Sequence, residues 1–178
     1  MKFWLYIVLF FSLIACKEQN RGKEQELLNL LGKKFIFPSD AYYYNCFSEC
    51  FENVDFNSSF KIVSYIDSYG CVACKLKMYL WEDLLKEIEV ASNKKVLLLF
   101  IIDSNSKNDV KFILRDSQFN YPVCFDDNGL FDKFNDFPDN YELQTYLLNE
   151  SNDILIVGNP ILNKSIKNLY LNMISKGR

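Results

Sequence analysis

The sequence contains no histidine among its 178 residues. This absence excludes Ser-His-Asp and Cys-His catalysis, histidine-based zinc sites and acid–base chemistry by an imidazole. Any chemistry must therefore use cysteine, carboxylate, lysine or tyrosine side chains. An excess of positive charge is also missing, since the net charge is −3 and the pI about 5.1, so we expect no nucleic-acid partner. The chain has no internal repeat and no low-complexity tract.

The residues that are present favour a folded domain. Hydrophobic residues make up 49% of the chain and aromatic residues 16%, which argues against disorder. The length is sufficient for one domain with its own core and an N-terminal appendage.

The first 16 residues are typical of an export signal. Lys2 is followed by an apolar run over residues 3–15, which is shorter than a typical membrane span. The run ends in Leu13-Ile14-Ala15-Cys16 and the chain then becomes polar. This junction resembles a bacterial lipobox, in which the signal is cut before the cysteine and the thiol is acylated. An ordinary secretory signal or an uncleaved anchor remains an alternative, and either one also exports the domain to a space that permits disulfides.

The lipobox resemblance implies three segments. Residues 1–15 are a lipoprotein signal peptide, 16–33 are the lipid anchor and a polar tether, and 34–178 are the folded domain. The lipid on Cys16 would hold the protein at a bacterial membrane in the cell envelope, facing the periplasm or the exterior.

Cys71-Val72-Ala73-Cys74 is the motif that carries chemistry. It lies between an apolar run, residues 60–67, and a helical pattern that begins at Cys74. Two cysteines at this spacing can open and close a disulfide. The first sulfur would lie at the helix N-terminus, where unpaired N–H groups and the macrodipole favour the reactive thiolate.

The other cysteines leave alternatives open. Cys46 and Cys50 are roughly 13 Å apart in an extended strand but roughly 6 Å apart on a helix or turn, so they can form a disulfide only if the chain bends there. We predict that Cys124 is a small buried hydrophobic residue. A zinc site built from Cys46, Cys50, Cys71 and Cys74 is disfavoured by export and by the long separation of Cys50 from Cys71. We therefore expect no metal and no cofactor.

Hydrophobic periodicity predicts a regular order of elements. The predicted strands are 60–67, 95–103, 121–125, 143–149 and 153–158. The predicted helices are 74–92, 106–117, 130–137 and 161–175. Tyr79 is predicted to belong to the buried stripe of the first of these helices, and Leu169 and Met173 are predicted to face inward in the last. Residues 34–59 are predicted to form short strands or a hairpin at the sheet edge, and 17–33 mainly a tether, with one or two helical turns over 26–31. This order predicts an α/β fold with helices on both faces of a sheet.

The order, with the Cys-x-x-Cys motif closing the first long strand, resembles the thioredoxin fold. It is most similar to exported, membrane-anchored thioredoxin-like proteins of the TlpA/redoxin type, over residues 34–178. The resemblance implies a three-layer fold with a central mixed sheet. It also implies that Cys71 is the attacking cysteine and Cys74 the resolving one.

The resemblance assigns supporting positions around this pair. Gln144 and Thr145 occupy the place of the family's cis-Pro-Thr pair, and a trans Gln144 is expected to expose an extra backbone N–H in the substrate groove. Gly158 and Pro160 resemble the glycine and the loop after the last strand. Gly70 replaces the usual tryptophan.

The motif's inner residues and its neighbours add further expectations. Val72 and Ala73 replace the Pro or His common between such cysteines, so the direction of electron flow stays open. Lys75 and Lys77 could favour a thiolate at Cys71 or could be ordinary solvated lysines. Asp67 could relay protons to Cys74, but its position at a strand end is more typical of a turn residue. Asp103 ends the next strand and could face the site.

These features predict an exported thiol–disulfide oxidoreductase. It would exchange disulfides with partner proteins through Cys71 and Cys74 and would use a membrane redox partner. The alternative is a non-catalytic thioredoxin-fold scaffold lipoprotein with a structural disulfide.

Overall fold

The described residues form a six-stranded mixed sheet with helices on both faces. The computed structural model describes residues 22, 24–39, 41, 43–44, 54–67, 76–103 and 107–177. The strands are β1 (Tyr43–Tyr44), β2 (Phe60–Ile66), β3 (Leu97–Ile102), β4 (Val123–Phe125), β5 (Thr145–Asn149) and β6 (Ile154–Val157). The helices are α1 (24–30), α2 (Met78–Ser92), α3 (Lys107–Asp116), α4 (Leu130–Asn135) and α5 (Lys164–Lys176), with a 3₁₀ turn over Tyr141–Leu143.

The strand order across the sheet is β1-β4-β3-β2-β5-β6. Strands β2, β3 and β4 are parallel, whereas β5 runs antiparallel to both β2 and β6. All seven residues of β2 are buried, as expected for a central strand covered on both faces. The predicted α/β class and the predicted order of elements are confirmed.

Alternate residues of the central strands build two separate cores. Ile62 and Phe100 face a core with α2, α3 and α5, whereas Val63 and Leu99 face a core with α1 and α4. The period of two in a strand sends neighbouring side chains to opposite faces, which is why a continuous apolar run fills both layers.

Helix α2 differs from the prediction in two ways. An unbroken helix from Cys74 was expected, but Lys77 is in the left-handed region, with φ 40° and ψ 47°, and α2 begins only at Met78. Tyr79 was expected on the buried stripe, yet it is 67% exposed. The residues that pack inward are Trp81, Leu84 and Ile88. Tyr79 precedes Leu84 by five residues in this helix, about 140° around its axis, and therefore lies on the face away from Trp81, Leu84 and Ile88.

Helix α5 also has a different phase from the one predicted. Its buried residues are Tyr170 and Ile174, whereas Leu169 and Met173, which were expected inward, are 52% and 40% exposed. The side chain of Asn163 accepts hydrogen bonds from the backbone N–H groups of residues 165 and 166, which starts the helix at residue 164 rather than at 161.

The packed part of the chain begins before residue 34. Leu30 in α1 is only 4% exposed and lies in the second core. The N–H of Gly32 donates to the carbonyl of Ile154, and the N–H of Ile154 donates to that of Lys33, so this segment covers part of the β6 edge. Strand β1 lies at the other edge, as the prediction of short strands at a sheet edge required.

Within the described ranges, no helix has the length and apolarity needed to cross a bilayer. The predicted signal peptide and Cys16 lie outside the described residues.

Candidate functional site

The carboxyl ends of the three parallel strands β2, β3 and β4 lie next to one another along one side of the sheet, which we call its carboxyl edge. The N–H of Asp103, after β3, donates to the carbonyl of Ile66 at 3.0 Å. The N–H of Asp126, after β4, donates in the same way to Ile102 at 2.9 Å. This edge is where open α/β sheets bind their ligands. Strand β2 ends there, five residues before Cys71.

The start of β5 lies beside the end of β2 because these strands are antiparallel. The N–H of Tyr65 donates to the carbonyl of Gln144 at 2.8 Å. The hydroxyl oxygens of Ser64 and Thr145 are 3.0 Å apart in a buried hydrogen bond. The structure therefore places Gln144 and Thr145 at the edge from which the chain leads to Cys71.

Gln144 does not expose its backbone N–H in the way the sequence suggested. That N–H donates to the carbonyl of Tyr141 at 3.3 Å and closes the 3₁₀ turn. The side chain is 4% exposed, and its Nε2 donates to the carbonyl of Pro138 at 2.8 Å. Its Oε1 is buried and has no hydrogen-bond partner. The group that Gln144 leaves unsatisfied is thus a side-chain acceptor and not a backbone donor.

Two cavities share the wall formed by Tyr65, Tyr141 and Gln144. The smaller cavity has a volume of about 300 Å³ and also contacts Ser64 and Lys77. Lys77 follows Cys74 by three residues, so their Cα atoms are within about 11 Å at full extension.

The larger cavity, of about 700 Å³, is the acidic pocket. Its carboxylates come from four aspartates, Asp67, Asp103, Asp132 and Asp139. Its other lining residues are Tyr65, Phe137, Pro138, Tyr141 and Gln144. Asp67 precedes Cys71 by four residues, so the two Cα atoms are within about 14 Å of each other. Described residues on both sides of the Cys-x-x-Cys motif thus line the two cavities.

The pKa of Tyr65 reflects the negative charge of the acidic pocket. Its ring stacks on that of Phe137, with centroids 4.0 Å apart and planes at 14°. Burial raises the pKa of the Tyr65 hydroxyl, and the carboxylates of Asp103 and Asp132 raise the pKa further. The negative potential of carboxylates from separate elements therefore converges on this ring.

Gly158 follows β6 and has a φ of 124°, which only glycine adopts without strain. Its N–H donates to the carbonyl of Thr145 at 2.8 Å, and its own carbonyl accepts from the Tyr170 hydroxyl at 3.1 Å. These bonds hold the start of β5, and with it Gln144, against the loop that contains Pro160.

Several predicted site residues lie outside the described ranges. They are Cys16, Cys46, Cys50, Gly70, Cys71, Val72, Ala73, Cys74 and Lys75. Cys124, which was predicted to be buried, is 1% exposed in β4, which confirms that prediction. The described residues contain no group of three or more His, Cys, Asp or Glu side chains that could hold a metal ion.

The structure adds residues that sequence reasoning missed. Tyr65, Asp132, Asp139 and Tyr141 line the acidic pocket, although none of them belongs to a motif. A signal was available for Tyr65 only, as a polar aromatic group near the end of a buried strand. The other three come from the segment between α4 and β5 and its flanks, and only the folded chain brings them to the end of β2.

The fold has counterparts among solved structures. A thioredoxin-like protein from Bacteroides caccae matches with a TM-score of 0.55 and 18% identity, over 91% of this chain and 56% of that one. The chain has a thioredoxin-like fold. The thioredoxin domain of a thiol-disulfide oxidoreductase from Bacteroides vulgatus matches with a TM-score of 0.53 and 13% identity, over 78% and 96% of the two chains. An uncharacterized conserved protein from Geobacillus kaustophilus matches with a TM-score of 0.56 and 17% identity, over 83% of each chain.

This chain spans little more than half of the Bacteroides caccae protein. No protein-family model matches the sequence, and no curated protein does so.

Proposed function

We propose that the chain is an exported thiol–disulfide oxidoreductase that exchanges disulfides with partner proteins through Cys71 and Cys74. The proposal rests on the position of the Cys-x-x-Cys motif in the fold. The motif follows β2 at the carboxyl edge of a thioredoxin-like sheet, and Gln144 and Thr145 lie beside the end of that strand. The similar domain from Bacteroides vulgatus belongs to a thiol-disulfide oxidoreductase, which agrees with the proposal.

The exchange has two balanced steps. The Cys71 thiolate attacks one sulfur of a partner disulfide, a mixed disulfide forms, and the other partner sulfur leaves as a thiolate. The Cys74 thiolate then attacks the Cys71 sulfur and releases the partner's second thiolate. Two electrons pass from the protein dithiol to the partner, and the reverse sequence oxidises a partner dithiol. A membrane redox partner would restore the starting state.

Replacing Cys74 by serine is expected to trap mixed disulfides, because the resolving thiolate is lost. Mild reduction followed by alkylation should label one fast-reacting thiol in the unmodified chain, and Cys71→Ser should abolish both the label and the trapped species. The matched control is Cys46→Ser together with Cys50→Ser, which should still allow trapping when combined with Cys74→Ser.

Trapping that survives Cys71→Ser would disprove the assignment of the attacking sulfur. A Cys71→Ser/Cys74→Ser variant that retains the full role in cells would instead favour the scaffold lipoprotein.

We further propose that lipid on Cys16 anchors the protein in the cell envelope. Residue 16 precedes α1 by only a short polar segment, so the domain would stay close to the bilayer surface. In bacteria grown with a labelled fatty acid, the unmodified chain is expected to carry label and Cys16→Ser to carry none. The Cys46→Ser control should retain the label, whereas equal labelling of the Cys16→Ser chain would refute the anchor.

A further inference from the structure

The first and last described helices enclose an apolar groove along the edge strand β6. Helix α1 belongs to one core and α5 to the other, and β6 lies between them at the edge of the sheet. The groove has a volume of about 710 Å³, and Leu27, Leu31, Leu169 and Met173 line it. Leu31, Leu169 and Met173 are 38%, 52% and 40% exposed. We call this surface, formed by α1, β6 and α5, the groove face. Large apolar side chains that share one exposed surface mark a contact with protein or membrane.

The charge of the chain separates the two segments that form this face from the rest. Residues 154–178, which include β6 and α5, carry four basic side chains and no acidic one. Residues 17–34, which include α1, carry five basic and three acidic side chains. Residues 35–153 carry ten basic and 20 acidic side chains. The groove face is therefore built from the positive parts of a chain whose net charge is −3. Such an asymmetry favours an anionic partner for this face alone.

The lining of the groove has the same sign of charge. Lys176 lies in the lining, and none of the described residues that line the groove is acidic. Lys33 is exposed directly after α1, on the segment that pairs with β6. Apolar side chains with lysines beside them are the combination that binds at the surface of an anionic bilayer.

The groove also lies close in sequence to the proposed lipid anchor. Leu27 follows Cys16 by eleven residues, so their Cα atoms are no more than about 40 Å apart. A tether of this length keeps the groove face at a high effective concentration near the bilayer, and weak contacts are then sufficient to orient the domain.

We propose that the groove face docks on the anionic surface of the bilayer that holds the anchor. The apolar side chains enter the boundary between headgroups and acyl chains, and Lys33 and Lys176 contact anionic headgroups. The inference rests on the proposed anchor at Cys16 and not on the exchange reaction. The two cavities at the carboxyl edge are lined by other residues, so docking leaves the end of β2 open to partner proteins.

The test measures which side of the anchored protein enters a bilayer. The protein is extracted from bacterial membranes and reconstituted into vesicles of phosphatidylcholine and phosphatidylglycerol with brominated acyl chains, which quench tryptophan fluorescence on contact. Tryptophan is introduced by Leu31→Trp, Leu169→Trp or Phe112→Trp, and the unmodified chain supplies the background. Phe112 is the matched control, because it is 69% exposed on α3, at the opposite edge of the sheet, where the Lys111 ammonium lies over the ring of Tyr44 in β1.

The two groove positions are expected to be quenched at least about fivefold more than the control, because a docked apolar face lies about 5 to 10 Å into the bilayer. Leu169 is half-exposed, so Leu169→Trp keeps the test decisive if Leu31→Trp fails to fold.

The charge is tested in the Leu169→Trp chain. Lys33→Gln/Lys176→Gln should lower its quenching at least about twofold, because each lysine near an anionic surface adds to the attraction. Arg115→Gln/Lys133→Gln removes the same charge from exposed positions on α3 and α4 and should leave the quenching unchanged.

Equal quenching at all three positions would overturn the docking, and so would a loss that is the same for both charge variants. A second copy that covers the groove would give low quenching at all three positions and would also overturn it. Fatty-acid labelling at Cys16 is a separate measurement. A labelled chain with equal quenching refutes the docking alone, whereas an unlabelled chain refutes the anchor and the docking that depends on it.

Discussion

Replacing Phe100 by alanine is expected to lower the free energy of unfolding by about 3 to 5 kcal/mol. Phe100 is fully buried in the central strand β3. Its ring meets Trp81 edge-on, with centroids 5.5 Å apart, and lies 5.2 Å from the ring of Phe119. The substitution removes buried apolar surface, leaves a cavity and breaks both aromatic contacts, each of which adds about 0.5 to 1.5 kcal/mol.

Urea titration at neutral pH measures this loss, which is large against the usual total of about 5 to 15 kcal/mol. The control is Phe112→Ala, because Phe112 is on α3 with 69% of its surface exposed. Its change should stay within about 0.5 kcal/mol. A loss below about 1.5 kcal/mol for Phe100→Ala would contradict the packing of the first core.

Unfolding is expected to set in steeply above about pH 10, the ordinary pKa of tyrosine. Burial raises the pKa values of three buried tyrosines, Tyr65, Tyr146 and Tyr170, and nearby groups raise them further. A tyrosine whose pKa is higher in the folded state than in the unfolded state makes its full contribution to stability at pH values below its pKa in the unfolded state. This stability is lost as the pH rises towards the folded pKa.

Each such tyrosine contributes a slope of about 1.4 kcal/mol per pH unit, so the three together give a loss of about 4 kcal/mol per unit above pH 10. Burial also raises the pKa of Tyr43, which adds to this loss. Denaturation measured from pH 8 to 12 should show a slope at least this steep. Tyr146→Phe and Tyr170→Phe should each reduce the slope by about 1.4 kcal/mol per pH unit. A flat profile up to pH 12 would contradict the burial of these hydroxyls.

The two variants should differ at neutral pH. The Tyr170 hydroxyl donates to the carbonyl of Gly158, whereas the Tyr146 hydroxyl is buried without a partner. Tyr170→Phe is therefore expected to cost about 1 kcal/mol, while Tyr146→Phe should be neutral or stabilising. This contrast separates the effect of the hydrogen bond from the effect of ionisation.

Local sequence patterns predicted the positions of strands and helices better than they predicted which face of each helix is buried. The apolar run before Asp103 allowed one interpretation only, a strand covered on both sides, and β3 is buried in that way. Helix faces were less certain, because periodicity alone does not fix how wide the buried stripe of a helix is. Tyr79 in α2 and Leu169 in α5 lie outside the buried stripe of their helices and are exposed.

In the candidate site, too, the sequence predicted the local positions of residues but not their arrangement in space. The sequence placed Gln144 and Thr145 at a strand start and Asp67 and Asp103 at strand ends, as four separate observations. Nothing local indicated that Asp67, Asp103 and Gln144 share a cavity with Asp139. That arrangement depends on β5 pairing antiparallel with β2, a contact between residues about 80 positions apart.

Lys61 illustrates why such contacts escape sequence reasoning. It lies in the apolar run of β2 and is fully buried, an unfavourable place for an ammonium. Its Nζ donates to the carbonyls of Asn149 and Glu150, each at 2.9 Å, at the turn between β5 and β6. The buried ammonium is tolerated because two carbonyl groups of a turn far away in the sequence accept its hydrogen bonds.

The sequence by itself determined the α/β class, the order of the elements and the place of the Cys-x-x-Cys motif after the first long strand. Hydrophobic periodicity and turn residues encode these features locally, within a few positions of each residue. Only the tertiary structure decided which carboxylates lie near Tyr65, which groups Gln144 hydrogen-bonds and which helix faces are buried. Those outcomes depend on pairing between segments far apart in the chain, which local periodicity does not specify.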